Sequence, residues 1–378
     1  MSRTWFLGAL AGCAALPALV PALAAGQTPD TLTPYVLPPA TISVTRTEVP
    51  LRKTPRAVHV VDRQDISRAR PTWGLDEALF SVPGVFAANR YNFSLDQRIS
   101  IRGFGSRSAF SVRGIKVLID GIPQTLPDGQ GQLTNLELGA ADRIEVLRGA
   151  SSALFGNASG GVISIWTAAA PPPARVTQEL RVAGGAFDRR LDRTWTKWHA
   201  TTRLRVGREG AARLTLSRLA YEGERDHSAA DLRNVNARFA MPLRPGWTLT
   251  ATADVGDQPR ADNPGALTLA ELGANRDSAA AANLAARAGK DVLQAQGGVT
   301  LRGQMPAGGD ATITLFGLAR DLENPLTFAY IRIDRVAYGA RALITQPGTL
   351  AGRPHRLTLG IDFQRQRDDR LNFANSGG

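Results

Sequence analysis

The sequence predicts a mixed α/β domain followed by an antiparallel transmembrane β-barrel. Three observations carry that reading: residues 1–24 have the layout of an export leader, the stretch from residue 176 onward alternates apolar and polar side chains with period two, and its connections alternate between short and long.

The leader comes first. Arg3 supplies a positive n-region, Trp5 to Leu23 is largely apolar and Ala-rich, and Ala22-Leu-Ala24 offers small residues for cleavage before Ala25. Pro17 and Pro21 interrupt the run, which falls short of the roughly 20 apolar residues a spanning helix needs. A signal peptide over residues 1–24 is therefore expected. The one cysteine, Cys13, lies inside it. Leu10-Ala-Gly-Cys13 has the look of a lipoprotein site, but the apolar run before it is very short and a better Ala-x-Ala site follows, which favours an incidental cysteine. A mature chain free of cysteine has no disulfide framework, zinc knuckle or thiol nucleophile.

The net charge of +12 comes mainly from Arg spread along the chain, with no Lys/Arg block. An exported chain without a basic run or an aromatic platform is a poor nucleic-acid binder, so no nucleic-acid partner is expected. Positive charge inside a pore concentrates anionic solutes instead. His59, His199, His227 and His355 are scattered, and no triad-like cluster, metal-ligand spacing or informative carboxylate pair appears. Neither catalysis nor a metal site nor a resident cofactor is expected.

Punctuation divides the remainder. Residues 25–50, rich in Pro, Thr and small apolar residues, read as an extended tether. Residues 51–168 read as the compact α/β domain, with a strand at Ala57–Val61, a short helix from Asp65 to Arg70, and a second from Gly74 to Phe80 ended by Pro83-Gly84. Residues 169–175, Ala- and Pro-rich, are a linker. Residues 176–378 follow with alternation in Val235–Met241, Trp247–Val255, Ala311–Leu315 and Leu357–Phe363. A soluble β-sandwich gives the same alternation. Export, a repeat length of about 10 residues per segment and a polar face containing Arg and Asp favour the membrane barrel. Gly207–Gly210 and Pro242–Gly246 read as short turns, and Gly256 to about Asp291 as a long connection with a helix around Leu267 to Leu272.

Two phrases in the α/β domain run from an alternating strand into an Arg-Gly turn: Ile99-Ser-Ile-Arg-Gly-Phe-Gly-Ser-Arg107 and Asp142-Arg-Ile-Glu-Val-Leu-Arg-Gly-Ala-Ser-Ser-Ala-Leu-Phe-Gly-Asn157. Between them Val117-Leu-Ile-Asp-Gly-Ile-Pro-Gln124 is a buried-strand run that breaks at Asp-Gly. Together these residues resemble the plug domain of TonB-dependent outer-membrane receptors. The resemblance implies a plug inside a gated barrel that imports a ferric chelate, with the TonB energising protein in the periplasm and outer-membrane lipid as the other partners. The transported chelate is then a ligand, and no cofactor is implied.

The same resemblance assigns roles. Thr41, Ile42, Ser43, Val44 and Thr45 resemble the energy-coupling box, which pairs with the energising protein as an added strand. Arg102, Arg143, Glu145 and Arg148 match positions that pair with barrel-wall carboxylates and hold the plug; removing one partner of such a pair leaves the other uncompensated. Gly103, Gly105, Gly149 and Gly156 read as turn glycines. Arg90, Tyr91 and Asn92, with Gln124, Asp128 and Gln130, are the apex candidates for ligand contact. The Gln124–Gln132 stretch looks most like the ferric citrate receptor branch, with haem and cobalamin as alternative cargoes and a non-transporting exported β-rich binding protein as the alternative class. The signalling domain that often precedes that branch is not expected, because Thr41 follows Ala25 closely.

Residues 176–378 hold about eight to ten strands at 9–11 residues each, whereas a barrel that encloses a plug needs about 22. Asn372–Gly378 also lacks the terminal aromatic strand common in such barrels. The sequence-based expectation is a truncated or fragmentary copy with an incomplete barrel.

Overall fold

The alternation from Val176 onward determines which face of the sheet is wet. In the computed structural model, described residues are 41–44, 46, 48–88, 91–106, 111–167, 174–187 and 192–378. The expected signal peptide, most of the tether, Thr45, Arg90 and residues 168–173 of the linker region lie outside them.

A plug comes first in the chain. Its strands are β1 (Thr41–Ile42), β2 (Val49–Pro50), β3 (Ala57–Asp62), β4 (Val85–Ala88), β5 (Arg98–Ile101), β6 (Ile115–Ile119), β7 (Ile122–Pro123), β8 (Ala141–Arg148) and β9 (Gly161–Thr167). The central sheet has the order β3-β8-β9-β6-β7, parallel only between β6 and β9. All five residues of β6 are buried, as expected for a strand covered on both faces. One face packs on α1 (Arg63–Ser67) and α2 (Leu75–Leu79) through Ile66, Leu75 and Leu79 against Ile144, Ile163 and Ile165. The other face packs Leu118, Leu147 and Val162 against Ile42, Val44 and Phe155. Phe155 ends α3 (Ser152–Phe155).

Two helix boundaries differ from the expectation. α1 starts at Arg63 because the Asp62 carboxylate accepts the Asp65 N–H at 2.9 Å and caps it there. It stops at Ser67, before Ala69 at φ 52.

The wall is a nine-stranded antiparallel meander: β10 (Val176–Ala186), β11 (Thr194–Val206), β12 (Gly210–Tyr221), β13 (Ala230–Arg244), β14 (Trp247–Asp262), β15 (Gly289–Gln304), β16 (Asp310–Pro325), β17 (Tyr330–Leu350) and β18 (Arg353–Phe373). Neighbours pair in sequence order and the sheet does not close, β10 and β18 being its edges. Its polarity is the reverse of a soluble sandwich. Leu214, Leu216, Ile313, Leu315, Leu359 and Ile361 are exposed, while Arg213, Thr215, Ser217, Gln294, Gln296 and Thr314 are buried against the plug. The apolar face is the outer one, which is the arrangement of a barrel in lipid. Among the described residues no helix is long and apolar enough to cross a membrane. The strands, 11 to 21 residues long, are long enough to do so.

Connections 207–209, 245–246, 305–309 and 351–352 lie at one end of the sheet, here the turn end, and 222–229, 263–288 and 326–329 at the other, the loop end. The long connection is shorter than Gly256–Asp291 because Ala261 and Asp262 still pair with Lys290 and Gly289. It carries α4 (Leu269–Ala274), closed by a Thr268/Glu271 capping box, and α5 (Ala281–Ala285), which the alanine run concealed from sequence reading.

Plug and wall meet closely at Gly256, where an added Cβ would collide with the Thr134 carbonyl oxygen and stand 2.7 Å from the Asn135 Cα. Both obstacles are plug backbone, so Gly256→Ala must displace the plug. The expected cost is about 1–3 kcal/mol of plug seating, seen as a lower urea midpoint for exposure of the plug to trypsin.

Candidate functional site: the coupling segment and the plug–wall interface

The segment expected to serve as a coupling box is docked. Thr41 and Ile42 pair antiparallel with Pro50 and Val49, closing a hairpin. Ile42 and Val44 are 0% and 1% exposed. The Ser43 and Val44 N–H groups both donate to Glu145 Oε2, at 2.9 and 2.7 Å, and Arg143 pairs with Oε1 at 2.8 Å. Burial pushes the Glu145 carboxyl above the ordinary glutamate range, against the Ser43 N–H, Arg143 and the Val44 N–H, which pull it down. Arg46 follows at φ 77, stacks 4.2 Å over the Phe155 ring and bonds the wall carboxylate Asp362 at 2.5 Å. Glu48 meets wall Arg302 at 2.5 Å. Sequence reading singled out Thr41–Thr45 and missed both of these charged neighbours, which lie only one and three residues further on.

Arg102, Arg143 and Arg148 take positions other than the expected ones. Each is engaged within the plug, and none of the three has an ion pair with a wall carboxylate among the described residues. Arg102 (φ 51) donates its backbone N–H to Gly84, and Arg148 Nη1 donates to the Pro83 carbonyl at 2.9 Å. β8 lies inside the plug sheet between β3 and β9; Glu145 on it is buried, while Arg143 and Arg148, both half-buried, find their acceptors on plug groups. Gly103, Gly105, Gly149 and Gly156 have φ of 86, 88, 105 and 62. At Gly105 a Cβ would also stand 3.1 Å from the Arg113 carbonyl oxygen.

The groups that join plug to wall mostly have the opposite polarity: plug carboxylates and wall cations. Asp120 meets Arg238 at 2.6 Å, Glu137 meets Lys197 at 3.1 Å, Asp96 meets Lys290 at 3.3 Å and Asp128 meets Arg335 at 3.6 Å. Arg63–Glu179, at 2.8 Å, runs the other way. Between the ion pairs lies a buried amide network. Gln296 accepts from Gln124 and, at 3.1 Å, from Asn135, and donates to the Pro123 carbonyl at 3.0 Å. Gln294 donates to Asn135 at 2.6 Å and accepts from Arg320 at 2.5 Å. A strand-period count shows only that these wall residues point inward. Their plug partners are 60 to 207 positions away in sequence, from Lys197–Glu137 to Arg335–Asp128, which no local pattern reveals.

The apex candidates separate. Tyr91 and Asn92 stand at the loop end. Tyr91 is 51% exposed and packs edge-on against Trp73 at 6.0 Å, while Asn92 Nδ2 donates to Asn263 at 3.1 Å. Trp73 is the centre of an aromatic group that also takes in Phe93, Trp195 and Tyr221. Gln124, at 0% exposure, faces the wall and has no free face for a ligand in this structure. Asp128 caps its own turn through the Gln130 N–H at 2.9 Å, and Gln130 accepts from Gln132 at 3.3 Å.

Residues 50–162 match the family model of the TonB-dependent receptor plug domain. The iron-regulated outer membrane virulence protein of Vibrio cholerae serotype O1 is 30% identical over 233 residues, covering 57% of this chain and 33% of that protein. Solved structures of similar fold include the ferric citrate transporter FecA in its unliganded form (TM-score 0.70, 20% identity, 86% of this chain and 50% of FecA). The alcaligin outer membrane receptor FauA from Bordetella pertussis gives 0.65 at 16% identity, with 88% and 51% covered. The ferripyoverdine receptor of Pseudomonas aeruginosa bound to ferripyoverdine gives 0.68 at 19% identity, with 89% and 46% covered. At such identities the likeness establishes the fold. The chain spans about a third of the length of the curated relative and about half that of the solved structures.

Proposed function

We propose, from the premise that this chain carries the plug and part of the barrel of a TonB-dependent receptor, that it serves uptake of a ferric chelate across a bacterial outer membrane. The observation that carries the reading is the inverted wall: apolar residues face out, and polar residues face in around a plug whose coupling segment docks nearer the turn end. Relatives described as iron-regulated, as a ferric citrate transporter and as a ferripyoverdine receptor support an iron chelate as cargo.

In this reading the chelate arrives at the loop end, where Tyr91 and Asn92 stand. Thr41–Val44 undocks from Glu145 and adds as a strand to the periplasmic TonB protein. Pulling then loosens the plug at β3, an edge strand that pairs with β8. The cargo crosses without chemical change.

Ferric citrate titrated into the detergent-solubilised chain is expected to quench tryptophan emission saturably, with iron-free citrate quenching far less. Quenching by haem or cyanocobalamin in place of ferric citrate would overturn the chelate assignment, and failure of the chain to fractionate with outer membranes would overturn the receptor reading.

A further inference from the structure

Between plug and wall, toward the turn end, lies a cavity of about 1330 Å³ bordered by the coupling segment. Seven arginines and four carboxylates line it. Three of the arginines have carboxylates of their own: Arg143 with Glu145, Arg238 with Asp120, and Arg302 with Glu48. Arg46 and Arg341 share one, Asp362, at 2.5 and 3.1 Å. Close to Arg341, Asp362 and Arg46 is Lys116, 4% exposed, its Nζ donating to the Thr125 carbonyl at 3.2 Å. Burial and then Arg341 bring its ammonium down to about 8, with Asp362 opposing, so it still carries charge at neutral pH. Three cations thus surround a single carboxylate. Buried donors of the lining, among them Thr252 Oγ1, Arg143 Nε and Arg238 Nε, have no hydrogen-bond partner among the described residues.

An uncompensated buried charge is costly, and a walled cavity concentrates the opposite charge. Guanidinium groups bind carboxylate and phosphate through paired hydrogen bonds. We infer that this cavity binds a small multivalent oxyanion, a di- or tricarboxylate or phosphate, between Arg46 and Arg341. The site lies away from the loop-end apex and does not rest on the ligand proposed there. Its occupant competes with Asp362 for Arg46, the residue that straps the coupling segment to the wall, so anion binding also loosens that segment.

The test is isothermal titration of the full chain in detergent micelles, at low ionic strength, with citrate, inorganic phosphate and ferric citrate in separate arms. Saturable binding of citrate or phosphate is expected, and the arm that saturates identifies which oxyanion it is. Lys116→Met should weaken it about tenfold, and Asp362→Asn, which removes the competing carboxylate, should tighten it about tenfold. The gain cannot arise from misfolding. Absence of saturable binding by both free anions, or an affinity unchanged in Asp362→Asn, would overturn the site. Ferric citrate binding that persists where neither free anion binds would leave the apex reading intact while the cavity site fell.

Discussion

Glu145→Ala is expected to release Thr41–Val44 from the plug, with the amides of Ser43 and Val44 exchanging at least thirtyfold faster with solvent deuterium. Both N–H groups end on one oxygen, Glu145 Oε2, in a region where Val44 is buried and the carboxylate itself has no exposure. Removing the acceptor strands two donors, and an unsatisfied buried donor costs about 1–3 kcal/mol. Two of them cost about 2 kcal/mol at the least, and each 1.4 kcal/mol is about a factor of ten. Glu145→Gln separates acceptor from charge. One amide oxygen can still take both bonds, while Arg143, a third exposed, turns to solvent. Near-native exchange is therefore expected in the glutamine variant. Unchanged exchange in Glu145→Ala would show that Ile42 and Val44 hold the segment by burial alone. Equal acceleration in both variants would show that the Arg143 pair holds it.

Much of this architecture can be read in the sequence, and what cannot be read follows a rule. The period-two stretches at Val235–Met241, Trp247–Val255 and Leu357–Phe363 lie in strands β13, β14 and β18, because alternation is a local property of extended chain. Alternation does not say which face is wet. Only the burial of Thr215, Ser217 and Gln296 beside exposed Leu214, Leu216 and Val299 settles that. The α/β region was legible through its Arg-Gly phrases and the apolar run at β6. The plug–wall contacts were not. The expectation that plug arginines meet wall carboxylates does not hold for Arg143 and Arg148, whose acceptors, Glu145 and the Pro83 carbonyl, are both plug groups. Of the residues that do cross the gap, Asp96, Glu137, Lys197, Arg238 and Lys290 sit in stretches without any motif, and Asp120 was read only as the break in the Val117–Gln124 run. Their significance lies in pairing across long sequence separations, which is a property of the fold.

Among those contacts Glu137 is expected to matter most for seating the plug. Its carboxylate accepts Lys197 Nζ at 3.1 Å, the Gly139 N–H at 2.7 Å and the Ser217 hydroxyl, and both charged side chains are almost fully buried. Lys197 also donates to the Thr72 carbonyl at 2.6 Å, beneath the aromatic group around Trp73. Glu137→Leu leaves the ammonium with that carbonyl alone, and an abandoned buried charge costs about 3–5 kcal/mol. The expected result is a large fall in the urea midpoint for plug release. Glu137→Leu combined with Lys197→Met should recover most of the loss, because no charge then remains buried. A double variant no better than the single would show that packing lost at Glu137 carries the effect. The pH dependence gives a separate check. Burial pushes the Glu137 carboxyl up, but Lys197, the Ser217 hydroxyl and the Gly139 N–H together hold it below the ordinary range. A carboxylate held low stabilises the seated plug fully above the unfolded value of about 4.3 and loses that contribution as pH falls through the lower seated value. The gap between wild type and Glu137→Leu should therefore not narrow from pH 7 down to about 5 and should narrow below about 4. A gap that narrowed between pH 7 and 5 would mean that the carboxyl titrates above its ordinary range and that Lys197 does not govern it.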